Sequence, residues 1–358
     1  MQKVFIAVSG GVDSSIAAAL LLEAGYDCSG IFMITHDRAD SARADAEEVC
    51  RHLQIPLYVL DLRKEFNRII DYFCAAYQHG KTPNPCVYCN RLIKFGLLWA
   101  YARNHGADFI ATGHYAQIRQ KDGVPALYEA KDKAKDQSYV LSMVRRNVLN
   151  HILLPMGKYT KAETRQFAAR LGLRTQYKKD SQEICFIPDD DYISMLRQWR
   201  PDVGISGNVV DTEGNILGRH EGIYRYTIGQ RRGLGIALGY PAYVVQIDAQ
   251  SNTVVLGKKQ DLMNRKLRLE QINWLIDPPA GSFLARIKIR YNHSGAMATV
   301  IPFSPPDKAE IIFDHPVSAI TPGQAAVMYL ADGSDELTGG GGWIAEVIAD
   351  QEDEYRDE

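Results

Sequence analysis

Val4-Phe5-Ile6-Ala7-Val8 runs directly into Ser9-Gly10-Gly11-Val12-Asp13-Ser14-Ser15, and Ile16-Ala17-Ala18-Ala19-Leu20-Leu21-Leu22 follows. The apolar, β-branched run has the length of a buried strand, and the Ala/Leu stretch has the bias of a helix. The chain therefore opens with a strand, a glycine turn and a helix N-terminus. Free backbone amides at a helix start attract anions, and the helix dipole adds to them. Gly10 and Gly11 carry no side chain, so phosphate oxygens can approach the backbone. Ser9, Ser14 and Ser15 add hydroxyl donors, and Asp13 is placed to position a magnesium ion.

A glycine pair ahead of a helix indicates by itself no more than a tight turn. Three hydroxyls and a carboxylate around it point to a phosphate grip. The lysine of GxxxxGK[ST] is missing. SGGxDS instead resembles the pyrophosphate loop of the ATP pyrophosphatases, which cleave ATP between its α and β phosphates.

The same alternation continues down the chain. Ser29 to Ile34, Pro56 to Asp61 and Asp108 to His114 read as strands. Ser41 to Leu53, Glu65 to Tyr77 and Arg91 to Asn104 read as helices. Nearly all-apolar strands between helices predict an α/β fold, a Rossmann-like parallel sheet covered on both faces. Ligands of such sheets sit beyond the carboxyl ends of the strands. The opening motif, Met33 and Gly113-His114 all fall at such ends. Thr160-Lys161-Ala162-Glu163 is a capping box opening a helix to about Leu171, with Gly172 as its stop. Asp189-Asp190-Asp191 begins a short helix through Trp199.

From Gly204 glycines and short strands dominate, as in Tyr243 to Ile247 and Thr253 to Leu256. A further all-β unit includes Phe283 to Tyr291, Ala309 to Phe313 and Gly342 to Ile348. This predicts residues 1–203 as the α/β domain, 204–265 as a small β-rich domain, and 266–349 as a β-barrel. Gly339 to Gly342 reads as a flexible hairpin tip. Arg286, Lys288 and Arg290 alternate with apolar residues, so they share one face: a solvated barrel exterior or a phosphate track.

The formal net charge is −2. Residues 350–358 hold six acids and one arginine, so the rest of the chain carries −2 − (−5) = +3. An acidic tail is solvated, and the folded body is mildly basic. The longest strictly apolar run, Ile16 to Leu22, is far below membrane-spanning length. No signal-peptide pattern precedes Val4. The expectation is a cytoplasmic protein whose six cysteines are thiols.

Cys28, Cys50 and Cys74 fall within strand or helix patterns and read as buried structural thiols. Thr82-Pro83-Asn84-Pro85-Cys86-Val87-Tyr88-Cys89-Asn90 is a two-proline loop carrying CxxC ahead of a helix. A thiol near a helix N-terminus is expected to have a lowered pKa. Cys185 lies in Lys178-Lys179-Asp180-Ser181-Gln182-Glu183-Ile184-Cys185-Phe186, where lysines favour a thiolate. Persulfide or redox chemistry ranks first for these three. An iron–sulfur cluster on Cys86, Cys89 and Cys185 ranks second, and structural zinc, short of a fourth ligand, last.

SGGVDSS, Gly30-Ile31-Phe32-Met33, GKTPNPCVYCN with Ile93-Lys94-Phe95, Ala111-Thr112-Gly113-His114-Tyr115, Lys135-Asp136-Gln137-Ser138-Tyr139, KKDSQEICFIP and Tyr226 to Gly235 together resemble the tRNA-specific 2-thiouridylase family over nearly the whole chain. The resemblance implies an adenine nucleotide alpha hydrolase-like sheet and a sulfurtransferase that makes 2-thiouridine at the wobble position of tRNA. It implies ATP, with Mg2+, along Ala7, Val8, Ser9, Gly10, Gly11, Val12, Asp13 and Ser14, with Met33 and Gly113 on the adenosine. The uridine C2 oxygen would be adenylated, Cys185 would carry the persulfide, and Cys89 would be the nucleophile, releasing the sulfur or forming a transient disulfide with Cys185 as AMP leaves. Asn84, Pro85 and Cys86 would face the target base. His114, Lys135, Asp136, Gln137, Arg290, Tyr291 and Gln324 would contact tRNA. Sulfur would arrive from a cysteine desulfurase or sulfur-carrier proteins. Some relatives carry aspartate where this chain has Cys86, so the acid–base role suggested there has no carboxylate here.

Two other classes stay open on sequence grounds. A small-molecule ATP pyrophosphatase of the amidating kind would release pyrophosphate without RNA. A non-catalytic nucleotide- or metal-sensing module would bind tRNA without turning over ATP. The CxxC with Cys185 argues against the former, and Asp13 with its hydroxyls against the latter.

Overall fold

β1 (Lys3–Ala7) is apolar throughout its centre, and Val4, Phe5 and Ile6 are fully buried. The computed structural model, which describes residues 1–37, 39–172, 184–187, 191–201, 203–236 and 238–348, places β1 in the middle of a five-stranded sheet. The chain continues through α1 (Val12–Glu23), β2 (Asp27–Ile34), α2 (Asp40–His52), β3 (Leu57–Asp61) and α3 (Arg63–Gln78). Then come α4 (Pro85–Cys89), a π-helix (Asn90–Leu98), α5 (Trp99–Asn104) and β4 (Phe109–Ala111). With the short β7 (Ile152–Leu153) the sheet order is β3-β2-β1-β4-β7, every neighbouring pair parallel. Val4 and Ile6 pack with Phe32, Val49 and Leu21 on one face, and Phe5 packs with Phe66, Ile69 and Phe73 on the other. Period-two alternation thus covers both faces, as the all-apolar strands require.

The helix expected from Arg91 starts at Pro85, so the CxxC lies inside its first turns and not in a loop ahead of it. Proline suits the first position of a helix, where its missing N–H would have had no partner. The capping box forms as read: Thr160 Oγ1 accepts from Glu163 N, and Glu163 accepts from Thr160 N, ahead of α7 (Lys161–Arg170). Asp191 caps α8 (Tyr192–Trp199). Asp189, Asp190, the Lys178–Glu183 stretch and the acidic tail lie outside the described residues.

β5 (Gln117–Lys121) and β6 (Val124–Tyr128) form a hairpin, and α6 (Ser138–Leu141) follows. A four-stranded sheet comes next from β8 (Gly207–Val210), β9 (Ile216–His220), β10 (Tyr243–Asp248) and β11 (Thr253–Gly257), ordered β10-β11-β8-β9. The last strands are β12 (Met263–Trp274), β13 (Phe283–Lys288), β14 (Ala296–Pro302), β15 (Ala309–Ser318), β16 (Ala325–Asp332) and β17 (Asp335–Ile348). They pair as β12-β15-β14-β13-β16-β17, and β12 pairs back to β17, which closes a six-stranded barrel. Leu267, Leu269, Ile287, Val300, Ile311, Phe313 and Met328 fill it. The β5–β6 hairpin joins this sheet through Tyr128 opposite Leu337, so the first part of the chain is stitched to the barrel.

Gly339 to Gly342 is not a hairpin tip. All four are buried within β17. A Cβ on Gly340 would stand 2.2 Å from Asn273 O, one on Gly341 2.8 Å from Ser142 Oγ, and one on Gly342 2.9 Å from Ile272 Cγ1. The glycines let β12, β16 and the Ser142 turn close on one strand. Gly340 also has φ 139°. Gly340→Ala is expected to cost about 3 kcal/mol through backbone clash and strain. Urea denaturation followed by fluorescence of Trp274, the cross-strand partner of Gly340, reads the loss. An unchanged midpoint would contradict this packing. Among the described residues no helix is long and apolar enough to cross a membrane.

Candidate active site

The strand order reverses at β1, which has β2 on one side and β4 on the other. A cleft therefore opens beyond the carboxyl ends of β1 and β4, where open α/β sheets take ligands. Ser9 to Ser15 lies there. Among the described residues no side chain caps α1, whose N-cap is Gly11, so its first-turn amides face the cleft ready for an anion. Gly10 has φ 72°, and a Cβ on it would sit 2.6 Å from Ala42 O, so α2 covers the loop from one side. Ser14 Oγ accepts from Ser9 N at 3.1 Å and donates to Gly11 O at 3.0 Å; Ser15 Oγ donates to Gly11 O at 2.8 Å. A Cβ on Gly113 would stand 2.7 Å from Ser14 N, so only glycine lets the end of β4 reach the loop. Met33 lies half-buried near the end of β2.

Asp13 is held by Lys161 and Tyr115, to which the sequence assigns no site role. Lys161 Nζ lies 2.7 and 2.9 Å from its two carboxylate oxygens, and the Tyr115 hydroxyl donates to Oδ1 at 2.9 Å. The capping box puts Lys161 at the first position of α7, and that was the signal available in the sequence. With both Asp13 oxygens engaged by an ammonium, this carboxylate does not fit a magnesium ligand.

The thiols gather in a second part of the cleft. Asn84 caps α4, its Oδ1 accepting from Val87 N at 3.4 Å while its Nδ2 donates to Tyr139 Oη at 3.3 Å. Pro85 is buried, Cys86 exposed, and Cys89 8% exposed. Cys185 is exposed on a turn whose next residue, Phe186, packs edge-on against Phe66 and Phe73 at 5.6 and 5.4 Å. Its flank Ile187 is buried in the same core. That anchoring fixes the turn and leaves the thiol at the surface.

All three thiols are close enough to feel one another, and Lys94 acts on each. The expectation of lowered thiol pKa values does not hold. Burial pushes Cys89 up to about 12 and Cys185 up to about 11, and raises Cys86 as well. Cys86 and Cys185 show surface to solvent, yet protein crowds their remaining sides enough for desolvation to win over the pull of Lys94. All six cysteines are free thiols. Among the described residues no three His, Cys, Asp or Glu side chains are arranged to hold a metal ion.

Lys94 reaches this cleft because of the π-helix. On an α-helix, residues five apart are about 140° round the axis from each other. The wider i→i+5 turn brings them back onto one face, and Cys89 and Lys94 are five apart. Lys94 Nζ also donates to His114 Nε2 at 3.5 Å, and His114 Nδ1 lies 2.7 Å from Thr112 Oγ1. Burial and Lys94 hold the His114 pKa well below the usual imidazole value, so the ring is neutral. His114 follows Gly113 and therefore ties the phosphate loop to the thiols.

The residues that the resemblance assigns to tRNA divide into two sets. His114 is buried. Asp136 is buried too, its carboxylate accepting from Ala130 N at 2.8 Å and from Ser138 Oγ at 2.6 Å. Gln137 Oε1 accepts from Tyr115 N at 2.9 Å. Gln324 Nε2 donates to Thr82 O and Pro83 O at 3.1 and 3.0 Å. These four side chains brace the loops of the site. Lys135 is half-buried, Arg290 donates to Ser318 O and Ala319 O, and Tyr291 is 38% exposed beside Cys86, its ring 6.0 Å from that of Tyr139. The basic strand face is not an open track. Arg286 is paired with Glu129 and Glu336 and lies over the Tyr329 ring, while Lys288 is half-buried beside the same ring.

Asn90, next to Cys89, is 1% exposed; its Nδ2 donates to Val140 O, and its Oδ1 has no partner among the described residues. The sequence shows Asn90 as the last residue of the GKTPNPCVYCN motif and gives it no role of its own.

Residues 2–189 match the tRNA methyl transferase HUP domain, 195–258 the tRNA methyl transferase PRC-barrel domain, and 264–344 the aminomethyltransferase beta-barrel domain. The chain is 44% identical to the tRNA-specific 2-thiouridylase MnmA of Syntrophotalea carbinolica, over 96% of this chain and 99% of that one. It is 45% identical to the corresponding protein of Chloroflexus aurantiacus, again over 96% and 99%. Among solved structures, the U34-tRNA thiolase NcsA of Methanococcus maripaludis with its [4Fe-4S] cluster aligns over 56% of this chain and 68% of that one, at 18% identity and a TM-score of 0.36. With matching domains in the same order and relatives of this identity over nearly its full length, the chain belongs to the tRNA-specific 2-thiouridylase family.

Proposed function

We propose that this protein is a tRNA-uridine 2-sulfurtransferase that converts the wobble uridine to 2-thiouridine at the expense of ATP, which leaves as AMP and pyrophosphate. The observation that carries this reading is the shared cleft. A helix N-terminus with an open phosphate loop abuts Gly113, and His114 beside it is bonded to Lys94, which acts on the three thiols. An oxygen on a pyrimidine ring is a poor leaving group, so phosphate activation and a sulfur nucleophile have to meet at one carbon.

In this reading ATP lies along Ala7 to Ser14 with its adenosine toward Met33 and Gly113. The first-turn amides of α1 hold the phosphates and Lys161 supplies positive charge as pyrophosphate departs. Any magnesium arrives as part of the nucleotide substrate, and no step depends on an iron–sulfur cluster. The uridine leaves its stack and lies against Asn84, Pro85 and Cys86, with the exposed Tyr291 ring as a stacking surface. Its C2 oxygen attacks the α phosphate and pyrophosphate leaves. The terminal sulfur of a Cys185 persulfide attacks C2, and AMP leaves with the former C2 oxygen. Cys89 then attacks the Cys185 sulfur, which releases the thiocarbonyl and forms a Cys89–Cys185 disulfide. The sulfane sulfur gains two electrons and the two thiols lose them, so an external thiol reductant restores the enzyme. The persulfide is loaded by a cysteine desulfurase or sulfur-carrier proteins.

The adenylation half is tested alone by tRNA-dependent exchange of labelled pyrophosphate into ATP without any sulfur source. Exchange that needs an unmodified wobble uridine is expected. Exchange driven by an amino acid or amide, and indifferent to RNA, would instead establish the small-molecule pyrophosphatase.

A further inference from the structure

The central β domain contributes nothing to the chemistry above, yet it carries the exposed loop Gln230-Arg231-Arg232-Gly233-Leu234-Gly235-Ile236, which leads on to Tyr240. Leu234, Ile236 and Leu238 pack on the core of that domain, so the loop is pinned at alternate positions. Arg231, Arg232 and Gly233 before them, and Gly235 between the first two, are exposed. Arg231 and Arg232 are both exposed, and among the described residues neither is ion-paired. Tyr240 is 44% exposed, with Lys258 Nζ 6.0 Å from its ring centre. Arg231, Leu234, Ile236, Tyr240 and Pro241 border an open groove of about 460 Å³.

The loop's position is set by the seam between domains. A Cβ on Gly229 would stand 3.0 Å from Ala319 Cβ, and Ala319 O accepts from Arg290. Three residues on, Thr82 N donates to Pro322 O at 2.9 Å, and Gln324 holds Thr82 and Pro83. On the other side, a Cβ on Gly80 would touch Ile247 Cγ2 at 2.8 Å. One continuous seam therefore runs from the thiol-bearing turn, past Arg290, to the base of the Arg231 loop. Adjacent unpaired guanidinium groups beside an exposed aromatic ring suit a polyanion whose repeat carries a phosphate and a flat base.

We propose that this loop is a docking surface for the tRNA backbone, with Arg231 and Arg232 on successive phosphates and Tyr240 against a ribose or base. The proposal rests on tRNA being the substrate. It explains a basic feature of the sequence that the adenylation and thiol sites leave unused.

The test uses the full chain, an unmodified tRNA transcript, and binding measured by anisotropy from 50 to 200 mM salt. Each phosphate contact contributes roughly 0.7–0.9 to the slope of log affinity against log salt. The double substitution R231A/R232A is expected to weaken binding about tenfold at low salt and to lower that slope by about 1–2. The KM for tRNA should rise while kcat at saturating tRNA stays the same. An unchanged slope and KM, with wild-type binding intact, overturns the loop's role alone. So does unchanged tRNA binding combined with lost sulfur delivery from a donor protein, which would make the loop a protein-docking surface. If wild-type protein binds tRNA no better than an unrelated polyanion, the tRNA reading itself fails.

Discussion

Cys185→Ser abolishes thiolation of tRNA and leaves tRNA-dependent pyrophosphate exchange at the wild-type rate. Serine keeps the shape of the turn that Phe186 and Ile187 anchor, so the phosphate loop, on the far side of Gly113-His114, is undisturbed. What is lost is the only atom in the turn able to carry sulfane sulfur, and the loss is expected to exceed about 10⁴-fold, as for removal of a covalent nucleophile. Cys89→Ser should fail differently. The persulfide still loads and still attacks, but nothing resolves the product. tRNA then accumulates in a disulfide with Cys185, visible as a protein–RNA adduct that dithiothreitol dissolves. Full thiolation by the Cys185 variant would remove the persulfide from the mechanism. Thiolation by the Cys89 variant without added reductant would remove the resolving step.

The second large effect falls on Lys94. The thiols are protonated at neutral pH because burial outweighs Lys94, the cation among the described residues that acts on all three. Lys94 favours the thiolate, so its pull is downward, and Lys94→Met should raise each thiol further. Below the thiol pKa, each unit of increase cuts the thiolate fraction tenfold. Alkylation of Cys185 at pH 8 is expected to slow by about tenfold, with its pH–rate limb displaced upward by about one unit. Lys94→Arg should keep most of the rate. Among the described residues, the groups facing these thiols are the other two cysteines, Lys94, and Tyr291 beside Cys86. Neutral His114 is bonded to Lys94. None of the rest supplies the lost charge. A Lys94→Met enzyme whose alkylation profile superimposes on the wild type would show that the π-helix serves packing and not the thiols.

The phosphate loop, the parallel sheet and the capping box were legible because each is written in neighbouring residues. An apolar run followed by a glycine turn, or Thr160 three residues before Glu163, carries its structure locally. The features that escaped depend on distant partners. Gly339 to Gly342 looks like a flexible tip until Asn273, Ser142 and Ile272 close around it. Arg286 looks free until Glu129 and Glu336 arrive from remote parts of the chain. Asp136 looks like a polar surface residue until Ser138 and Ala130 surround it. The thiol pKa values erred for the same reason: proximity to lysines is visible in sequence, whereas desolvation is a property of the assembled cleft. The π-helix carries no sequence signal that was used, yet it decides where Lys94 points.

The central claim is that activation and sulfur delivery converge on one uridine carbon. It is tested most directly by nucleoside mass analysis of unmodified tRNA after incubation with the protein, ATP, magnesium, a cysteine desulfurase with cysteine, and a thiol reductant. The account predicts a uridine with one oxygen replaced by sulfur at C2, confined to the wobble position and dependent on ATP. A tRNA left unmodified under these conditions, with Cys185 shown to carry a persulfide, would contradict it.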